Sequence, residues 1–217
     1  MIPPAEMTLD ELRPALAPHI AANVAFDGWS ATALANAAQT LDVPVELARL
    51  AFPDGAVDMI DAWFQSIDAA LATRLPREQL ADMRIRERIR ALVLERLALS
   101  DREAARRTVA ILAMPQNAKR GLAFGWRAAD CMWRLAGDTA TGFAHYSKRM
   151  TLSTVYAATV MVWLNDESED GADTAAFLDR RIDGIMRFER AKARLRPDPE
   201  KYFSPALFLG RLRYPTA

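Results

Sequence analysis

The feature that most constrains this chain is its residue usage, which favours helix almost everywhere. Alanine supplies 41 of the 217 residues, Leu, Arg and Glu are abundant, and runs of β-branched residues are scarce. The abundant residues have high helix propensity, whereas strands are built from β-branched and aromatic residues. We therefore predict an all-α protein, and its length fits one or two domains.

Prolines, glycines and capping residues divide the helical sequence into segments. Thr8, with Glu11 three residues later, predicts a capped first helix that ends at Asp27-Gly28. Pro14 and Pro18 inside this helix imply a kink or a late start. Further helices are predicted at 31–41, 45–51, 55–75, 84–99, 101–114, 116–136, 141–164 and 173–195.

Three regions follow from this division. Residues 1–54 are predicted to form a helix-turn-helix-like unit, 55–196 a larger helical body, and 197–217 an apolar and basic tail. In the body, the charged residues of helix 116–136 are confined to one strip, so we expect this helix to be largely buried. Gly121 and Gly125 would allow the backbone of a neighbouring helix to approach it closely. Helix 141–164 is apolar all round after Val155 and is expected to be central or in an interface, which favours a homodimer.

The N-terminal unit resembles the helix-turn-helix of TetR-like regulators in the stretch from Gly28-Trp29-Ser30 to Phe52-Pro53. Residues 1–60 contain two basic side chains, Arg13 and Arg49, and eight acidic ones, a net charge of −6. Phosphate neutralisation supplies most non-specific DNA affinity, so this surface should repel a duplex. We predict no nucleic-acid binding, and a ligand-responsive transcription regulator of TetR type is the alternative hypothesis.

Residues with catalytic or metal-binding chemistry are few. The sequence contains no phosphate-binding glycine loop, dinucleotide motif, nucleophile elbow or His-Glu-x-x-His motif. Neither His19 nor His145 has a Glu three residues before it, which excludes a di-iron carboxylate bundle. Cys131 follows Asp130, whose charge should raise the thiol pKa. We predict no catalytic residue, metal or cofactor, and we expect His145 to lie in an exposed cationic setting beside Arg149.

The net charge and the composition of the first 25 residues help to predict where in the cell the protein is found. The formal net charge is zero, from 28 basic and 28 acidic residues, so no overall field draws the protein to an anionic surface. The first 25 residues contain one basic residue, Arg13, which predicts neither a signal peptide nor a transit peptide. The longest apolar stretch, Val155–Leu164, is about half of a bilayer span. We expect a cytoplasmic protein.

Large apolar side chains are numerous for an all-helical chain of this size. Five Trp, nine Phe and nine Met exceed what packing strictly requires. Walls rich in Met and aromatic residues adapt to flexible apolar ligands. Composition alone leaves two readings open, an apolar ligand site and a plain core.

A block in the second half resembles a known family. Its segments are Asp130–Thr139 (DCMWRLAGDT), Phe143–Arg149 (FAHYSKR), Asn165–Ser168 (NDES) and Phe177–Asp183 (FLDRRID). They are similar to the lipid-binding accessory family of ubiquinone (coenzyme Q) biosynthesis, and the resemblance covers about residues 8–195. It implies a TetR-like fold that does not bind DNA, a cavity for isoprenoid quinone-like lipids, and presentation of the lipid to the membrane-bound di-iron hydroxylase of demethoxyubiquinone. It implies no catalysis by this chain.

The resemblance also implies site residues. The lipid would lie between the helix of Trp63 and the helices of Trp126 and Tyr156, and the residues expected to bind it are Trp63, Phe64, Ile67, Leu71, Trp126 and Tyr156. The residues expected to contact the hydroxylase are Asp130, Met132, Trp133, Phe143, His145, Tyr146 and Arg149. Residues 201–213 combine aromatic, apolar and basic side chains, so this tail either attaches to the inner face of the membrane or folds back onto the body.

Overall fold

The computed structural model describes residues 7–195, with side chains as far as Arg187, and the regular structure in this range is helical. The all-α prediction is confirmed. The helices are α1 (Leu9–Asp27), α2 (Ala31–Thr40), α3 (Val45–Ala51), α4 (Ala56–Arg74), α5 (Arg77–Leu80), α6 (Ile85–Ala98), α7 (Arg102–Leu112), α8 (Ala118–Leu135), α9 (Gly142–Trp163) and α10 (Ala172–Leu195), with short 3-10 turns at Pro115–Asn117 and Glu169–Gly171.

Helix α1 begins where its capping residues predict. The Thr8 hydroxyl accepts a hydrogen bond from the Glu11 amide, and the Glu11 carboxylate accepts one from the Thr8 amide at 2.8 Å. Pro14 and Pro18 lie inside the helix, so of the two predicted alternatives, a kink or a late start, the late start is wrong. The buried face of α1 packs on α2 and α4, and this packing outweighs the hydrogen bonds that the prolines remove.

The first three helices pack together and are tied to the helices that follow by Trp29. Its ring lies 5.4 Å from that of Trp63 on α4, centroid to centroid, and its indole N–H donates to the Ala104 carbonyl of α7 at 3.4 Å. Helices α1–α9, with α10 as far as Leu178, form one compact unit, and α10 from Asp179 onward belongs to a second. The predicted boundary at residue 54 stays a prediction, and the tail lies outside the described residues.

Helices α8 and α9 form an antiparallel hairpin. A Cβ at Gly125 would lie 2.9 Å from the Ser153 hydroxyl, so glycine permits the close approach that the sequence predicts. The expected burial of α8 is wrong, because only Ala128, Ala129 and Met132 are buried along it and Leu122 is exposed. Helix α8 contacts α4, α6 and α7 as well as α9, but these contacts leave much of its length uncovered.

Helix α9 is likewise not central in this chain. It buries one face, with Leu152, Val155 and Trp163, while Met150 and Met161 are exposed. Ion pairs join the hairpin to α4 and to the residues just before it, because Arg120 of α8 lies 3.7 Å from Asp58 and contacts Asp54 at 2.5 Å. No helix among the described residues is long and apolar enough to span a bilayer.

Candidate functional site

Four of the six residues predicted to bind lipid share the inner face of α4. Trp63, Ile67 and Leu71 are buried, and Phe64 is half-buried with its ring stacked on Trp63 at a centroid distance of 5.3 Å. Phe64 also meets the edge of Phe124 on α8 at 5.6 Å. The structure brings these side chains together as a packed aromatic and aliphatic layer.

A buried arginine lies beside this layer. Arg96 of α6 is 2% exposed, and its guanidinium lies 5.4 Å from the Phe64 ring centroid and 5.1 Å from that of Tyr156. Its Nε donates to Asp68 Oδ1 at 3.0 Å, and a terminal nitrogen donates to the Tyr156 hydroxyl. Tyr156, the fifth predicted lipid residue, therefore joins the α4 residues through Arg96.

Sequence analysis missed Arg96, although the chain carried a signal for it. Arg96 follows Ile89 and Leu92 at helical spacing, and all three are buried in the structure. Arg96 therefore stands on the apolar stripe of α6, where a charge needs a buried partner. The partner, Asp68, lies on the same face of α4 as Phe64 and Leu71, so an acidic residue on one apolar stripe matches a basic residue on another.

The ionisable groups of this layer respond to their burial. Burial raises the pKa of Asp68, and the neighbouring Arg96 opposes that rise. Burial also raises the pKa of the Cys131 thiol to about 11, with a further contribution from Asp68 and a smaller one from Asp130. The predicted direction for Cys131 is confirmed, but its main cause is burial and not the adjacent carboxylate. The thiol is protonated and unreactive at neutral pH.

The sixth predicted lipid residue, Trp126 on α8, packs against aromatic side chains at the start of α9. Its ring packs 5.9 Å from Tyr146 and 6.5 Å from His145, and the last two rings meet edge to face at 5.2 Å. Phe143 is 81% exposed, Tyr146 is 63% exposed, and Met150 one turn further along α9 is also exposed. We call Trp126, Phe143, Tyr146 and Met150 the hairpin face.

Beneath the hairpin face lies a second buried arginine. Arg149 is 2% exposed. The prediction that His145 and Arg149 share an exposed cationic surface is therefore wrong for Arg149. Arg149 Nε donates to Asp130 Oδ1 at 2.6 Å, and a terminal nitrogen donates to Asp138 Oδ2 at 3.1 Å and to the His145 carbonyl at 3.2 Å. Two carboxylates from different segments draw the guanidinium inward, which a residue-by-residue reading of polarity does not anticipate.

The seven residues predicted to contact a partner thus divide by exposure. Phe143 and Tyr146 are exposed, and His145 and Trp133 are half-buried. The other three, Asp130, Met132 and Arg149, are largely or wholly buried and support the hairpin from within. Trp133 is fixed by its indole N–H, which donates to the Lys148 carbonyl at 3.1 Å.

Two open clefts lie away from the predicted lipid residues. The larger, about 790 Å³, is bounded by α6, the end of α9 and the start of α10, and it includes Leu94, Ala98, Trp163 and Asp166. Hydrogen bonds from Ser168 and Thr174 lower the pKa of Asp166, which caps the start of α10. The smaller cleft, about 480 Å³, lies between α2 and the start of α3. Neither cleft includes any of the six predicted lipid residues.

The described residues offer little that would bind a metal ion or DNA. Within residues 7–187, no group of three His, Cys, Asp or Glu side chains is placed to hold a metal ion. In the helix-turn-helix unit, Arg49 pairs with Glu46 at 3.0 Å on the seven-residue α3. Arg13 donates to the Ala51 carbonyl at 2.9 Å. Both basic side chains of the unit are therefore engaged within the protein.

Comparison with known proteins agrees with the block that sequence analysis identified. Residues 118–189, which span α8, α9 and most of α10, match the COQ9 family model. The sequence is 31% identical to "Ubiquinone biosynthesis protein COQ9, mitochondrial" of Rattus norvegicus and 29% identical to the Homo sapiens protein of the same name, over 73% of this chain in each case. The chain spans about half the length of these relatives, 54% and 52%.

The fold also has a solved counterpart. It is similar to the crystal structure of the TetR transcriptional regulator from Nitrosomonas europaea ATCC 19718, with a TM-score of 0.63 and 25% sequence identity. The similarity covers 80% of this chain and 97% of that chain. The predicted resemblance to the ubiquinone biosynthesis family and the predicted TetR-like fold are both confirmed.

Proposed function

We propose that this chain is a non-catalytic accessory protein of ubiquinone biosynthesis, which binds an isoprenoid quinone-like lipid and presents it to the di-iron hydroxylase of demethoxyubiquinone. The observation that carries the proposal is that the COQ9 match, at residues 118–189, coincides with the hairpin and its exposed aromatic side chains. The rat and human relatives are named as mitochondrial proteins of this pathway. For this chain we propose a peripheral position at the inner face of a membrane.

The hairpin face is the proposed contact with the hydroxylase. Exposed aromatic side chains that become buried on association supply most of the binding energy in protein interfaces. Phe143 and Tyr146 satisfy this requirement, whereas Met132 is fully buried. We therefore assign Met132 a supporting role and Phe143 and Tyr146 the role of anchors.

A pull-down of co-expressed hydroxylase tests this assignment with a matched pair of variants. Phe143→Ala should weaken binding by about 1–3 kcal/mol, the usual range for truncating an anchor residue. Phe26→Ala is the control, because Phe26 is 91% exposed and lies on α1, away from the hairpin. Thermal melts of both variants should match the unmodified protein. Equal binding by the two variants would exclude the hairpin face as the contact.

The proposed lipid site is the aromatic layer of Phe64, Trp63 and Tyr156, with the apolar part of the ligand against α4. Organic extraction of the purified protein followed by mass spectrometry should release an isoprenoid lipid. Phe64→Ala should lower the amount of lipid per protein, and Phe26→Ala should not. A protein that carries no lipid when purified from cells making ubiquinone would contradict the lipid-binding part of the proposal.

Self-association and membrane attachment are separate parts of the proposal. We propose a homodimer through the exposed side of α9 around Met161, which presents an apolar surface in this chain. Sedimentation should show a dimer, and Met161→Glu should yield a monomer.

Deletion of residues 201–217 should lower flotation with anionic liposomes while leaving the melting temperature unchanged. A large fall in melting temperature would instead indicate that the tail stabilises the fold.

The second candidate, a transcription regulator, draws support from the described role of the Nitrosomonas europaea structure. Against it stand the net charge of −6 over residues 1–60 and the engagement of Arg13 and Arg49 within the protein. Fluorescence anisotropy with a genomic DNA fragment at low salt should show no binding. Micromolar binding with a steep salt dependence would overturn our choice between the two functions.

A further inference from the structure

The first turn of α9 carries the exposed aromatic residues but has little to stabilise it locally. Thr141 stands at the N-cap position, and its side chain makes no capping hydrogen bond. Gly142, the next residue, has a φ of +59°. An uncapped helix start leaves amide groups unpaired and tends to fray. Phe143 and Tyr146 project from this turn, so their position depends on contacts made elsewhere.

Arg149 supplies such contacts to three segments at once. Its guanidinium reaches Asp130 on α8, Asp138 in the α8–α9 loop, and the carbonyl of His145 in the first turn of α9. Charge-assisted hydrogen bonds that are shielded from water are stronger than exposed ones, and Arg149 is 2% exposed. The planar guanidinium, with its fixed set of donors, suits this three-way bridge better than a lysine ammonium.

Lys148 and Trp133 reinforce the same connection. Lys148 Nζ donates to Asp138 Oδ1 at 2.6 Å and lies 5.1 Å from the Trp133 ring centroid. Burial tends to raise the pKa of Asp138, but hydrogen bonds from Lys148 and Arg149 outweigh burial and lower it. The loop carboxylate is therefore ionised at neutral pH and holds both cations at the start of α9.

We infer that Arg149 is a positioning residue for the hairpin face, holding the first turn of α9 so that Phe143 and Tyr146 are presented beside Trp126. Arg149 itself does not touch the partner, because it is covered by the protein. The inference rests on the proposed function in treating the hairpin face as a partner contact. The geometric part of the inference can be tested without the partner.

The variants exploit two arginines that share one carboxylate. Arg149→Lys keeps the charge and removes the three-way bridge. Arg134→Lys is the matched control, because Arg134 contacts Asp130 Oδ2 at 2.7 Å from an exposed position. Asp138→Asn is a second variant that weakens the bridge with almost no change of volume. It keeps the test valid if Arg149→Lys does not fold.

The first measurement is the ¹⁹F NMR spectrum of protein labelled with 5-fluorotryptophan, in which Trp126→Phe identifies the Trp126 signal. Because the Trp126 ring packs on Tyr146, a displaced first turn should shift or broaden this signal. Arg149→Lys and Asp138→Asn should both change it, and Arg134→Lys should not. An unchanged Trp126 signal in a folded Arg149→Lys protein would overturn the inference.

The second measurement is a double-mutant cycle on hydroxylase binding with Arg149→Lys and Tyr146→Ala. If Arg149 acts through Tyr146, each variant should lower affinity about tenfold or more, and the double variant should lose no more than the stronger single variant. Additive losses would show that Arg149 acts independently of the aromatic residue and would overturn the inference. If the unmodified protein does not bind hydroxylase, the proposed partner is wrong, and the ¹⁹F spectrum still decides the role of Arg149.

Discussion

Two buried arginines, one in the bundle and one in the hairpin, are equally inaccessible but differently partnered. Arg96 and Arg149 are each 2% exposed. Arg96 has one carboxylate, Asp68, and otherwise meets aromatic rings and a phenol hydroxyl. Arg149 has two carboxylates, from Asp130 and Asp138, and a backbone carbonyl.

The pKa values of the carboxylates Asp68 and Asp138 shift in opposite directions as a result of this difference. Burial raises the pKa of Asp68, and the opposing charges of Arg96 and Arg127 do not cancel the rise. The pKa of Asp138 is lowered, because hydrogen bonds from two cations outweigh its burial. The comparison teaches that burial alone does not define the role of an arginine. Asp68 is hydrogen-bonded to one cation, Arg96, whereas Asp130 and Asp138 each contact a further cation besides Arg149.

The largest expected effect is on the bundle side of this comparison. Arg96→Met should lower the free energy of unfolding by about 3–5 kcal/mol, because it leaves the Asp68 carboxylate buried without its counter-charge. Urea unfolding measures the loss. Arg74→Met is the control, because Arg74 is exposed and lies 3.9 Å from Glu95, and it should change stability by less than about 0.5 kcal/mol. Similar losses in the two variants would contradict the buried pair.

A smaller loss is expected on the hairpin side. In Arg149→Met, Asp138 keeps its contact with Lys148 and Asp130 keeps its contact with Arg134. The free energy of unfolding should fall by about 1.5–3 kcal/mol, the range for hydrogen bonds to charged groups. If urea unfolding shows a greater loss for Arg149→Met than for Arg96→Met, the proposed difference between the two centres is wrong.

The pH dependence of stability should differ in sign between the two carboxylates. Because the folded pKa of Asp138 lies below its ordinary value of 3.8, its stabilisation is complete above that pH and is lost as the pH falls through the folded value. The folded pKa of Asp68 lies above 3.8, so its contribution is present below that pH and declines as the pH rises through the folded value.

Two asparagine variants measure this difference by urea unfolding across the acid range. The advantage of the unmodified protein over Asp138→Asn should shrink below pH 3.8, and its advantage over Asp68→Asn should shrink as the pH rises above 3.8. Parallel curves for both variants would remove the electrostatic distinction between the two centres.

The smallest expected effect concerns how tightly the hairpin is packed. Alanine in place of an internal helix glycine usually stabilises by about 0.5–1 kcal/mol. Gly121→Ala should gain this amount, because its Cβ would lie at an ordinary 3.5 Å from Leu112 Cβ. Gly125→Ala should gain less or lose stability, because its Cβ would lie 2.9 Å from the Ser153 hydroxyl. Equal gains by thermal melting would show that the two helices are not in close contact.

Local sequence signals were sufficient for most of the helices. Capping residues and apolar spacing predicted α1–α4 and α6–α10 to within a few residues, because these signals act within one or two turns. The short α5, Arg77–Leu80, was missed because four residues carry no periodicity. The glycine at the hairpin contact was also predictable, since a missing side chain shows directly in the sequence.

The sequence by itself determined the all-α class, the boundaries of nine of the ten described α-helices to within a few residues, and the residue block that marks the COQ9 resemblance. Only the tertiary structure decided that α8 has an exposed face, that Trp126 packs on Tyr146 at the start of α9, and that Arg149 is buried while Tyr146 is exposed. The physical reason is that periodicity tells which side chains share a face of one helix. Whether that face is covered, and which carboxylate a long guanidinium reaches, depends on segments brought together only by folding.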